Sequence, residues 1–232
     1  MKKRILMMLA LCLLLAGCGK STEDVTADAE TPENVEVEEA APVVTEKEEP
    51  AATVQPLPDD TMGNLTDAIL AVSLEQGDAY VDDTGKMQMD VKIYTYDRYD
   101  MVDISELKVG DILVAHAGEI EITAMERSES GIIRINGGLE EGGLDLVTDD
   151  SGIFFETGFN DAKNWYEVGE ATIRVSADFL GHDNSNPEQG EALIYPGDFL
   201  VGAVTDYNFT PYNTTIRVEG GQIVEMNRMY TP

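Results

Sequence analysis

Apolar and polar side chains alternate over residues 87–94, where Met87, Met89, Val91 and Ile93 are set against Gln88, Asp90, Lys92 and Tyr94. Successive side chains of a strand point to opposite faces, so a period of two predicts a strand with one face buried. Similar strand signals recur at 112–114, 144–148, 153–157 and 171–177. Residues 119–127 alternate Ile120, Ile122 and Ala124 against acids and Thr123, and Ser128-Glu129-Ser130-Gly131 turns them into 132–135 as a hairpin. A second hairpin is expected where 214–219 and 222–230 flank Gly220-Gly221, a pair that tolerates the positive φ of a two-residue turn. Residues 65–74 fit helical spacing (Leu65, Ile69, Val72) and alternation (Leu70, Val72, Leu74) equally, and are read as a strand. No long helical period appears elsewhere, which disfavours βαβ units and a parallel nucleotide-binding sheet. The expected fold is mainly β: an antiparallel barrel or sandwich of short strands over residues 61–232.

The first residues follow a different pattern. Lys2, Lys3 and Arg4 precede eleven apolar or small residues, 5–15, which end at Ala16-Gly17-Cys18. As a helix that run rises about 16 Å, half of a hydrocarbon core of about 30 Å, so it is too short for a permanent span. Charge, apolar run and small residues in this order are a signal-peptide layout. Leu15-Ala16-Gly17-Cys18 resembles the lipobox of bacterial lipoproteins, whose cysteine is lipidated and becomes the mature N-terminus. The resemblance implies a signal peptide over 1–17 and a lipid on Cys18 that anchors the chain to the outer side of a membrane, either at the cell surface or facing a periplasm. Two acyl chains hold stably where one is marginal. The alternative is a plain secretory leader. If Cys18 carries lipid and Cys12 leaves with the leader, the exported chain has no free thiol, and disulfide and cysteine-nucleophile chemistry drop out.

Residues 18–60 read as a disordered tether. From Gly19 to Asp60 there are 13 acids against Lys20 and Lys47, five of the nine prolines and no aromatic residue. Such a stretch cannot bury enough surface to offset the entropy of ordering it. A flexible coil of that length spans about 36 Å. Loss of the three leader cations takes the net charge from −30 to −33. Nucleic acid is therefore excluded as a partner, and anionic lipid headgroups are repelled, leaving the Cys18 lipid as the contact with the bilayer. An envelope glycan or protein is the expected further partner, and no cofactor is indicated. Acidic stretches at 78–90 and 183–191 miss the calcium-loop spacing, so weak surface calcium binding is all that the charge supports.

Candidate chemistry is sparse. Two histidines, His116 after a strand and His182 in a polar loop, sit in no nucleophile motif. Tyr94 and Tyr96 lie two apart on one expected strand, and Trp165-Tyr166 forms a second aromatic cluster. Flat rings beside carboxylates suit a sugar or peptide platform, which makes Tyr94, Tyr96 and Trp165 the candidate ligand-binding residues. The competing reading is structural, because tyrosine is a favoured strand residue. Residues 107–114 and 194–201 share apolar-x-x-Gly-Asp-apolar-Leu-Val, either common turn chemistry or a duplication. Residues 103–136 also resemble the opening of small SH3-like barrels. Two functions remain open: a non-enzymatic binding, adhesion or envelope module, or an exported glycan, ester or peptide hydrolase using carboxylates or His182.

Overall fold

A computed structural model describes residues 50–158 and 162–231, so Cys18, the expected leader and most of the expected linker lie outside the described residues. In chain order the elements are β1 (Thr53–Val54), β2 (Ala68–Ser73), β3 (Ala79–Val81), β4 (Met87–Thr95), β5 (Arg98–Tyr99), α1 (Met101–Glu106), β6 (Ile112–Ala115), β7 (Gly118–Glu121), β8 (Met125–Arg127), β9 (Ile133–Ile135), β10 (Leu144–Thr148), β11 (Phe154–Thr157), β12 (Tyr166–Asn184), β13 (Ala192–Ile194), α2 (Pro196–Leu200), β14 (Thr214–Glu219) and β15 (Gln222–Met229). The protein is mainly β.

Five strands close into a barrel in the order β2-β4-β12-β15-β14 and back to β2. Every pairing in it is antiparallel except β12–β15. Counted along the barrel, the order is first-second-third-fifth-fourth, with α2 between third and fourth; this is the connectivity of an OB-type barrel. The alternation read from sequence fills it: Met89, Val91 and Ile93 of β4 and Ile216 and Val218 of β14 all point into one core. Phe199 of α2 meets Phe179 at 6.4 Å and Phe209 at 6.2 Å. β12 is 19 residues long because one half pairs with β4 and the other with β15, with register shifts at 167/169 and 175/180 that bend it between partners.

Residues 96–158 and 162–165, between the second and third barrel strands, supply most of a separate core. β5-β11-β10-β9-β8 form one sheet and β1-β6-β7 another, with Tyr99, Ile104, Leu113, Ile122, Ile135 and Leu146 between them. The expected linker to Asp60 therefore ends early. Thr53 and Val54 pair in parallel with Ile112 and Leu113, Val54 is buried, and the buried Asp111 carboxylate accepts the Ala52 N–H at 2.8 Å.

Local corrections follow from specific hydrogen bonds. The strand expected over 119–127 is two strands, since the Asn136 carboxamide takes the N–H groups of Thr123 (2.8 Å) and Ala124 (3.1 Å) and breaks the ladder. The hairpin at Ser128–Gly131 joins β8 to β9 as expected. Gly220 and Gly221 both have positive φ, 54° and 73°, in the turn between β14 and β15. The two Gly-Asp segments diverge: Gly110 (φ 95°) leads into β6, whereas Gly197-Asp198 is helical in α2 behind Pro196. Their different local structures favour convergence over duplication.

Candidate functional site

A groove of about 510 Å³ runs along β2, β4 and β12 on the outside of the barrel. Its walls carry Glu75, Asp78, Asp90 and Glu170, with Lys92, Ser73 and Thr172 between them. Alternation puts them there: Asp90 and Lys92 are the outward positions between Met89, Val91 and Ile93. Asp90 accepts a hydrogen bond from the Thr172 hydroxyl at 2.6 Å, across the β4–β12 pairing that sets those residues opposite one another. At the rim the Asp78 carboxylate holds the Glu75 N–H at 2.6 Å. Lys92 Nζ lies 3.9 Å from Glu167 and 4.0 Å from Glu170, exposed pairs that contribute little to stability. Four carboxylates against one ammonium leave the groove net negative and rich in acceptors.

Beyond the groove, the hairpin loop from β3 to β4 is fixed by Asp82. Its carboxylate accepts the Thr84 hydroxyl, the Lys86 N–H and the Gln88 amide, which hold it far below the ordinary carboxylate range.

A second cluster forms where the inserted core meets the barrel. Asp97, buried just past β4, accepts the Tyr166 hydroxyl at 2.9 Å and the His116 N–H. The His116 ring stacks on Tyr166 at 3.7 Å and 3°. Glu156 of β11 is pushed above the usual carboxylate range, first by burial and then by Asp97, against opposing effects of a hydrogen bond from Asn164 and the nearby His116. Tyr166 is pushed up by burial and by Asp97, and Tyr99 by burial and then Asp97. Tyr99, fully buried, donates to the Val114 carbonyl at 3.1 Å.

The structure separates the expected aromatic candidates. Tyr94 lies beside the groove, its hydroxyl 3.1 Å from Ser73 Oγ. Tyr96 and Trp165, 69 residues apart in the chain, meet edge to face at 4.9 Å, with Phe155 at 5.7 Å from Tyr96. Lys163 Nζ donates to Tyr96 Oη at 2.8 Å and sits 4.1 Å from that ring. His182 is not in a loop: it lies within β12, opposite Leu193 and Asn227, and its Nδ1 is 2.9 Å from Glu191.

Sequence reading did not single out Asp97, Glu156, Lys163 or Phe155. The density of tyrosines at 94–99 marks the segment, but the partners arrive from β11 and the approach to β12. Arg228 was missed as well. It is buried within the barrel end, donating to Asp183 at 3.1 Å and Asp206 at 2.7 Å, with its guanidinium 4.6 Å from the Phe209 ring. Among the described residues no group of three His, Cys, Asp or Glu side chains is placed to hold a metal ion, and no helix is long and apolar enough to cross a membrane. No family model, curated protein or solved structure matches the chain.

Proposed function

We propose that the chain is a lipid-tethered, extracytoplasmic binding module whose groove on β2, β4 and β12 takes a hydroxyl-rich ligand bearing positive charge, such as an amino-sugar polymer of the envelope. The groove carries the reading: acceptors from Glu75, Asp78, Asp90 and Glu170 face one open channel, where sugar hydroxyls and ammonium groups both find partners. Tyr80 and Tyr94 lie beside it, the first 3.5 Å from Asp90 and the second bonded to Ser73. By analogy of fold alone, the face of the second and third strands is where OB-type barrels hold oligosaccharides and oligonucleotides, and the charge here favours the former. The lipobox resemblance and the acidic tether supply the location, with Cys18 as the anchor.

The test is a titration of glucosamine oligomers against the isotopically labelled protein, followed by amide shifts. Shifts centred on Ala171, Thr172 and Val91, reduced about tenfold in affinity by Asp90→Ala, support the proposal, since one charge-assisted hydrogen bond contributes about 1.5–3 kcal/mol. Shifts elsewhere, or none, would sink it.

One observation favours a second reading, an exported hydrolase. Burial and then Asp97 push the Glu156 carboxyl up, and a carboxyl so shifted, with a second carboxylate acting on it, is suited to general-acid work. Glycan, ester or peptide turnover that disappears in Glu156→Gln would establish that reading in place of the first.

A further inference from the structure

We propose that Tyr96, Phe155 and Trp165 form an aromatic box for a quaternary alkylated ammonium group, and that Lys163 is a resident cation which such a ligand displaces. The rings come from three places: just past β4, within β11, and just before β12. Tyr96 stands at 78° to Phe155 and 80° to Trp165. Edge-to-face rings also pack ordinary cores; what sets this cluster apart is one cation facing three of them. Here Lys163 Nζ lies 4.1 Å, 5.4 Å and 5.7 Å from the centroids of Tyr96, Phe155 and Trp165. All three distances fall inside the range of about 6 Å over which a ring face attracts a cation.

The resident ammonium is not the best occupant of these walls. A lysine ammonium is compact, strongly hydrated and carries three N–H donors, none of which a ring face satisfies. Among the described residues the Tyr96 hydroxyl, at 2.8 Å, is the lone pair that the box offers Lys163. A quaternary ammonium has no N–H to satisfy, is weakly hydrated, and buries its methyl groups against the same faces. Against it stands the tethered lysine, present at an effective concentration in the millimolar range. The intact chain therefore binds weakly, and removing the lysine strengthens binding.

The box shares no residue with the groove of the proposed function, so the two stand or fall separately. Trp165 is the only tryptophan in the chain, and its emission reports on the box alone. The experiment titrates the full chain in non-ionic detergent with tetramethylammonium chloride and with phosphocholine, using sodium chloride at equal ionic strength as reference. Lys163→Ala and the length-conserving Lys163→Gln are compared with the wild type, each first checked for an unchanged thermal transition. The expected result is a saturable change in Trp165 emission with an affinity about tenfold higher in the lysine variants, lost again when Tyr96→Leu is added. Retention of these variants on phosphatidylcholine over phosphatidylethanolamine vesicles, both zwitterionic, and its loss when Tyr96→Leu is added, would assign the head group to a lipid; binding of the free compounds alone would assign it to a soluble or polymer-borne source. A flat titration in both lysine variants overturns the box, as does binding that survives Tyr96→Leu.

Discussion

Replacing Arg228 by methionine puts the account of the barrel end to a quantitative test. The side chain is 2% exposed and makes three hydrogen bonds: to Asp183 at 3.1 Å, to the Asp206 carboxylate at 2.7 Å and to the Asp206 carbonyl at 3.2 Å. Its partners are unequal. The Asp206 side chain is 67% exposed, so water takes over when the pair is lost, and that contact is worth no more than about 1 kcal/mol. Asp183 is 18% exposed and would be left half-desolvated without its counter-ion. Charged hydrogen bonds contribute about 1.5–3 kcal/mol, and breaking a buried pair from one side costs about 3–5. Methionine replaces the arginine stem against Phe209, which limits the packing loss. Discounting for Asp206, Arg228→Met should cost about 2–4 kcal/mol in urea unfolding, whereas Asp206→Asn should cost about 1 or less. Arg228 also holds Asp206 below the ordinary carboxylate range, so that part of the stability is present above that range and disappears as pH falls through the lowered value. The acid limb of the stability curve should flatten in Arg228→Met. A cost below about 1 kcal/mol for Arg228→Met, or equal costs for the two variants, would refute the reasoning that burial on the Asp183 side carries the network.

The junction gives two further expectations. Asp97→Ala strands the Tyr166 hydroxyl and the His116 N–H, and should destabilise by about 2–4 kcal/mol in chemical denaturation, with loss of the His116–Tyr166 stack seen as shifts of both rings. Glu156 is raised by burial, so between its ordinary and raised values the folded chain keeps a proton the unfolded chain has lost, and stability falls as pH rises through that window. Glu156→Gln should therefore raise the thermal midpoint at pH 7 and leave it unchanged in acid below the ordinary glutamate range. In the inserted sheet, a Cβ on Gly143 would lie 2.0 Å from the Ile135 carbonyl oxygen, so Gly143→Ala should cost about 2 kcal/mol or more, while Gly63→Ala, with nothing within 4 Å, should change little.

Strand existence was legible because alternation is a local property: 87–94, 144–148, 214–219 and the Gly220-Gly221 turn all stand where the pattern put them. Closure was not, because which strands neighbour each other is decided by pairings such as Arg174 with both Gln88 and Gln222, which no local period encodes. The same distance in sequence hid the chemistry. Tyr96 and Trp165 were visible as aromatic residues, but Lys163 reads as an ordinary surface cation until the fold brings three rings around it. Arg228 looked like one polar position of an alternating strand, although it faces the buried side. Acids were so numerous that Asp90 and Glu170 gained meaning only once β4 and β12 were paired. The early end of the linker had a faint signal in Val54, an apolar residue with no periodic neighbours to support it.

The groove is the centre of the functional account, and calorimetry with two ligands of one shape tests it most directly. Glucosamine hexamer carries ammonium groups, and its fully N-acetylated counterpart presents the same hydroxyls without charge. The account predicts heat of binding for the charged hexamer, weakened by added salt because the opposed charges are solvent-exposed, weakened again in Asp90→Ala, and at least about tenfold weaker for the acetylated hexamer. Equal affinity for the two hexamers, or binding indifferent to salt and to Asp90, would contradict it.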